Sequence, residues 1–251
     1  MMATRRSDMM SALYDTIGLY YAVLRKPDPR IAAVITRALG DAREILNVGA
    51  GAGSYEPVDR QVTAVEPSIE MIRKRSPSAA RVVQTTADDL PFEDGRFDAS
   101  MAILTVHHWP DKEAGLREMR RVTTGRIVLL TFDPSCRPWL TEYLPELAEL
   151  DEAQMPAMAE YERWLCPVHV SPVLVPHDCT DGFLYAYWRR PEAYLDARIR
   201  SGISSFWTID NVDAGLEKLR QDLASGEWDR RYGELRKLSE NDAGYRLVVS
   251  G

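Results

Sequence analysis

The chain is short of cysteine, histidine, positive charge and long apolar runs, and each shortage removes a class of protein. Cys136, Cys166 and Cys179 are its 3 cysteines in 251 residues. So small and odd a number cannot build a disulfide framework, which points to a reducing compartment. No stretch approaches the roughly 20 apolar residues of a membrane span. The opening residues MMATRRSD carry arginines with no apolar segment behind them, unlike a secretory signal. A net charge of −7 leaves no general excess of lysine and arginine for nucleic acid or an anionic membrane. Internal repeats and low-complexity tracts are missing too. The expectation is a soluble, cytoplasmic chain with neither nucleic-acid nor membrane partners. With 45% hydrophobic residues it can bury a full core as one domain over 1–251.

What is present is organised around EILNVGAGAGSYEPVDRQVTAVE, from Glu44 to Glu66. Ile45 to Val48 reads as a strand and Gly49 to Ser54 as a glycine-rich turn. A second strand closes on Glu66. Glycines at 49, 51 and 53 remove Cβ atoms where a ligand approaches the main chain. An acid at the tip of the next strand is placed to accept hydrogen bonds from ribose hydroxyls. Strand, glycine turn and distal acid describe a nucleoside-binding half of an α/β sheet. The dinucleotide fingerprint would need glycine where Ser54 stands, so a nicotinamide cofactor is the weaker ligand.

Apolar periodicity predicts helices over residues 8–24 and Arg30 to Leu39. Tyr14, Tyr21 and Arg25 either lie over a bound ligand or pack in the core. A helix from Ile69 to Arg75 and a strand from Arg81 to Thr85 follow. Asp94-Gly95 marks a turn before a strand from Phe97 to Leu104. A helix over Lys112 to Val122 leads into a continuously apolar strand, Arg126 to Phe132, of the kind covered on both faces. Beyond it the pattern changes. Residues 136–165 read as helical, His169 to Pro176 as one strand, 183–239 as three helices, and Gly244 onward as a terminal strand.

Five segments in order carry a resemblance: ILNVGAGAGS, TAVEPS, ADDLPFEDGRFD, LTVHHW and EMRRVTTGRIVLLTF. Together they make residues 44–132 similar to the class I S-adenosylmethionine-dependent methyltransferases that act on small molecules. The resemblance implies an α/β, Rossmann-like seven-stranded mostly parallel sheet with helices on both faces. It also implies a helical cap over 1–40, a cofactor core over 41–135, and a lid with terminal strands over 136–251. The implied cofactor is S-adenosyl-L-methionine and the implied partner a small-molecule methyl acceptor. Gly49, Ala50 and Gly51 would lie against ribose and amino-acid tail, with Glu66 on the ribose and Pro67 and Met71 on the adenine. Ala87 and Asp88 would read the adenine edge, carbonyls at Leu104 and Thr105 would hold the ammonium, and Tyr21 would lie over the cofactor. Asn47 stands where the family usually has an acid, and Thr86 where it usually has an aspartate.

Methyl transfer needs alignment at close range and, for some acceptors, a general base. The chain has only 4 histidines. His107 and His108 follow the fourth strand, at the edge where open α/β sheets bind ligands. His177 and Asp178 open a second polar cluster, PHDCTDGF, which either supplies a base and the acceptor contacts Thr180 and Asp181 or only makes a helix-entry turn. Trp188, Arg189, Arg190, Tyr194 and Trp207 are candidates to line the same pocket. Cys166 and His169 have ligand-like spacing without a matched second pair, so no metal is expected. A methyltransferase-like binder without turnover and a nicotinamide-dependent oxidoreductase compete with the enzyme reading. Oligomeric state is not legible.

Overall fold

The chain is described from a computed structural model, over residues 24–251. The helix expected before Leu24, with Tyr14 and Tyr21, lies outside the described residues. The chain divides into two compact units.

The sheet unit comprises Pro29–Ser135, Gln154–Val173 and Gly244–Gly251. Its strands are β1 (Glu44–Val48), β2 (Gln61–Val65), β3 (Arg81–Val83), β4 (Ala99–Ile103), β5 (Ile127–Phe132), β6 (Val168–Pro172) and β9 (Tyr245–Ser250). They form one 7-stranded sheet in the order β3-β2-β1-β4-β5-β9-β6. The first five run parallel, and β9 enters antiparallel between β5 and β6. The Rossmann-like, mostly parallel α/β sheet expected from the sequence is therefore present.

Burial explains the central strands. Every residue of β5 is buried, as the unbroken apolar run IVLLTF requires of a strand covered on both faces. The polar exceptions are partnered. Thr131 Oγ1 meets the Tyr161 hydroxyl at 3.0 Å, and Thr123 donates to Ser100 at 3.0 Å. The helix Lys112–Val122 begins where Asp111 Oδ1 accepts from the Ala114 amide at 2.9 Å. It buries Gly115, Leu116, Met119 and Val122, the face its periodicity marks out. Its partners in the core include Phe97, Ala102, Leu129 and Val248.

The second unit comprises Met1–Asp28, Cys136–Ala153 and Leu174–Ala243, described here from residue 24. It is organised around aromatic rings. Trp139 packs edge-on against Tyr143, Tyr194 and Trp228, with ring centroids 5.9, 5.7 and 5.3 Å away. A two-stranded pair joins β7 (Val175–Pro176) to β8 (Glu240–Asn241).

Two sequence expectations change. The single strand over His169 to Pro176 is two strands in separate sheets: β6 stays paired to β9 through Pro172, and Val175–Pro176 pairs instead with Glu240–Asn241. The three helices over 183–239 are shorter pieces. Residues 184–189 form turns, Ala197–Ser201 is one helical turn, and Gly226 at φ +78 separates Val212–Ser225 from Glu227–Tyr232. Among the described residues no helix is long and apolar enough to cross a membrane.

Candidate active site

The site residues of the sheet unit gather at the carboxyl ends of β1, β2 and β4. After β1 the chain turns through Gly49 at φ +69 and Gly51 at φ +52. The amides of Gly49 and Ala50 both donate to the Val65 carbonyl at 2.9 Å, which fastens the turn to the end of β2. A Cβ on Gly49 would lie 2.2 Å from Thr105 Oγ1, so only glycine lets the tips of β1 and β4 approach this closely.

Glu66 closes the cradle from β2. Its Oε2 accepts from the Gly51 amide at 2.8 Å and its Oε1 from the Ser68 amide at 2.9 Å. Burial pushes this carboxyl above the usual range, while both amides and the positive charge of Arg75 pull it down. A carboxylate offers about four acceptor positions, so each oxygen keeps one after these bonds. That spare capacity fits a pair of ribose hydroxyls. Ser68 also caps the helix Ile69–Arg73 through Met71 N at 3.3 Å. Buried Met71 is thereby set beside Gly51, its Cε 3.3 Å from where a Cβ would stand.

Asn47, at the end of β1, is 1% exposed and donates through Nδ2 to Glu56 Oε1 at 3.2 Å. Glu56 is in turn paired with Arg75 at 2.7 Å. Sequence reasoning missed both partners: Glu56 lies within the same stretch as Asn47 but at no motif position, and Arg75 lies beyond it. It also missed Arg121, which holds the segment leading into β4. Arg121 donates to the carbonyls of Leu90 and Phe92 at 2.9 and 2.7 Å while pairing with Glu118 and Asp94. Its i, i+3 spacing from Glu118 was the available signal. Upstream of that segment Ala87 is buried and Asp88 exposed.

Leu104 takes the left-handed conformation at φ +52, uncommon for a branched side chain and found where a site constrains the backbone. The Thr105 carbonyl accepts from the His108 amide at 2.8 Å, so one of the two carbonyls expected to hold an ammonium already has a protein donor. His107 is half-buried and His108 exposed, their rings 3.9 Å apart.

The second polar cluster belongs to the other unit. His177 is half-buried, and Asp178 and Thr180 are exposed. Asp181 and Trp188, expected as acceptor contacts, are both packed into their own unit. Asp181 is 1% exposed and pairs with Arg25 Nε at 2.6 Å. Thr180 N and Oγ1 bond Asp28 and the Lys26 carbonyl, so this loop secures residues 25–28. Trp188 is fully buried with its Nε1 on the Val175 carbonyl at 3.0 Å, and the Tyr194 hydroxyl is used by Leu184. Tyr21 lies outside the described residues. Among the described residues no group of three or more His, Cys, Asp or Glu could hold a metal ion.

Residues 46–129 match the family model described as a methyltransferase domain. An Anabaena variabilis structure, assigned as a methyltransferase from an antibiotic biosynthesis pathway, is 38% identical with a TM-score of 0.83. The match covers 91% of this chain and 99% of that one. The demethylmenaquinone methyltransferase of Tropheryma whipplei is 31% identical over 165 residues, 59% of this chain and 69% of that protein. The uncharacterized methyltransferase YcgJ of Bacillus subtilis is 29% identical over 133 residues, 48% of this chain and 53% of that protein. The chain thus spans about half the length of the first curated relatives it matches. With a family match over the cofactor-binding third and a relative 38% identical over almost the whole length, the chain belongs to the class I S-adenosylmethionine-dependent methyltransferases and is related to those acting on small molecules.

Proposed function

We propose that the chain transfers the methyl group of S-adenosylmethionine to a small, apolar or aromatic metabolite in the cytoplasm. The observation that carries the reading is Glu66, a buried carboxylate with one free acceptor position on each oxygen, beside the glycine turn. S-adenosylmethionine supplies a methyl group on a sulfonium, and its transfer is an in-line displacement that demands alignment and exclusion of water. Glu66 orients the ribose through its two hydroxyls. Gly49, Ala50 and Gly51 admit ribose and amino-acid tail to the main chain, and Asn47 and the Leu104–Thr105 backbone receive the tail's ammonium. Pro67 and Met71 cover the adenine, whose edge is read at Ala87 and Asp88.

On this reading His107, at the end of β4, accepts a proton where the acceptor must lose one, with His108 beside it as an acceptor contact. His177 and Asp178 are the second candidates for that role, with Thr180 as a contact. Asp181 and Trp188 act by supporting their loop. The apolar acceptor class is supported by the demethylmenaquinone and antibiotic-pathway assignments of the relatives and by the aromatic character of the second unit.

The test is release of S-adenosylhomocysteine with a panel of phenols, quinols and isoprenoid alcohols. Glu66→Gln should weaken cofactor binding by about tenfold or more, as loss of a charge-assisted hydrogen bond does. His107→Ala should lower kcat at unchanged cofactor affinity. A folded protein that binds the cofactor yet turns over none of the panel supports the non-catalytic reading instead.

A further inference from the structure

Beneath the glycine turn lies a buried ion pair whose bonds converge on the turn itself. The side chains of Arg75 and Glu56 are 4% and 9% exposed. Arg75 Nη2 reaches both Glu56 oxygens, at 2.7 and 2.9 Å. Taking two charges out of water is costly, and their attraction offsets that cost only with further hydrogen bonds. Those bonds are specific. Arg75 Nη1 donates to the Gly51 carbonyl at 3.1 Å, and Glu56 Oε1 accepts from Asn47 Nδ2 at 3.2 Å. The Ala80 backbone closes the far side, its carbonyl on Arg75 at 3.1 Å and its amide on Glu56 at 3.2 Å. Gly51 is therefore held at both ends, its N–H by Glu66 and its carbonyl by Arg75.

The pair also sets Asn47. A carboxylate only accepts, so the amide must present Nδ2 to Glu56 and keep Oδ1 for something else. Among the described residues no donor is bonded to Oδ1, in a side chain that is 1% exposed. We infer that Glu56 and Arg75 are positioning residues for the methyl donor: they fix the turn at Gly51 and orient Asn47 so that its Oδ1 receives the ammonium of the donor's amino-acid tail. This rests on the cofactor reading above. It carries a counterintuitive consequence. An acid at position 47 would suit an ammonium better in isolation, but here it would set a second carboxylate against Glu56 with one guanidinium between them, and like charges at that range oppose each other.

The experiment titrates S-adenosylhomocysteine into wild type, Glu56→Gln, Asn47→Asp and the double variant Asn47→Asp/Glu56→Gln, at a temperature where each is folded. Thermal unfolding without ligand runs in parallel. Glu56→Gln and Asn47→Asp are each expected to weaken binding by about tenfold, and the double variant, with one carboxylate again, to return within about threefold of wild type. 5′-Methylthioadenosine, which has no amino-acid tail, should lose less affinity than S-adenosylhomocysteine in Asn47→Asp. Equal affinities in all four proteins, or tighter binding by Asn47→Asp alone, overturn the inference and leave the cofactor reading standing. Failure of the folded wild type to bind overturns both.

Discussion

Replacing Gly49 by alanine tests whether the close approach of β1 and β4 builds the site. The added Cβ would lie 2.2 Å from Thr105 Oγ1, 2.8 Å from its Cγ2 and 3.0 Å from its Cβ. The backbone there is at φ +69. The left-handed conformation costs an L side chain about 1 kcal/mol, and relieving an overpacked contact costs about 1–3 kcal/mol more. Gly49→Ala should therefore lose about 2–4 kcal/mol in urea unfolding followed by circular dichroism. Thr105→Ala removes the two nearest atoms and leaves the 3.0 Å contact. The double variant should then recover about 1–2 kcal/mol, a coupling visible in a double-mutant cycle. Cofactor affinity should follow. Any shift of the turn moves the Gly51 amide from Glu66, now 2.8 Å away, and should weaken S-adenosylhomocysteine by about tenfold in calorimetry. A single variant within about 0.5 kcal/mol of wild type, or strictly additive losses in the double variant, would refute the steric account.

Asp151 is 4% exposed and accepts from the Tyr185 hydroxyl at 2.6 Å, and burial pushes its carboxyl up to about 6. The folded chain holds a proton there that the unfolded chain releases near pH 4, so stability falls as pH rises through about 4 to 6. Asp151→Asn should gain up to about 3 kcal/mol above pH 7 and nothing near pH 4; equal gains at both would show that desolvation of the charge is not the cause. Arg121→Ala frees the Leu90 and Phe92 carbonyls and should loosen the segment that follows Ala87 and Asp88. The readouts are faster amide exchange over 86–94 and lower cofactor affinity, and unchanged exchange would count against the anchor. Among the thiols, exposed Cys166 should react with a disulfide reagent in the native state, whereas Cys179, buried and pushed up to about 12, should react only on unfolding.

The features legible in the sequence are those whose cause lies within a few residues. The burial that produced IVLLTF is written along β5 itself, and the turn from Val48 to Glu66 joins neighbouring strands, so glycine, acid and strand ends fall in one short window. The helix over Lys112 to Val122 carries its own cap and apolar stripe and appears with the bounds its periodicity marks. The region over 174–239 was harder to read for a physical reason. Its core is built of large aromatic rings meeting edge to edge across many residues of sequence. Such contacts leave no period, and short turns packed on rings look like helices to a pattern that counts apolar spacing.

Asn47 marks a different boundary of legibility. By itself an amide in that place reads as a missing charge. The structure supplies the charge from Glu56, neutralises it with Arg75, and leaves the amide as the group with acceptor capacity to spare. No local spacing predicts this, because Arg75 reaches Glu56 and Gly51 only after the helix Ile69–Arg73 has brought it back beneath the turn. The same holds for Leu104, whose positive φ runs against the preference of its side chain and has no signal in its own residue type. Leu104 carries backbone strain beside the cradle, and such strain collects where a ligand must be held. On the cofactor reading, substitutions at Asn47 and at Leu104 should therefore change affinity for the methyl donor more than substitutions elsewhere on β1 and β4.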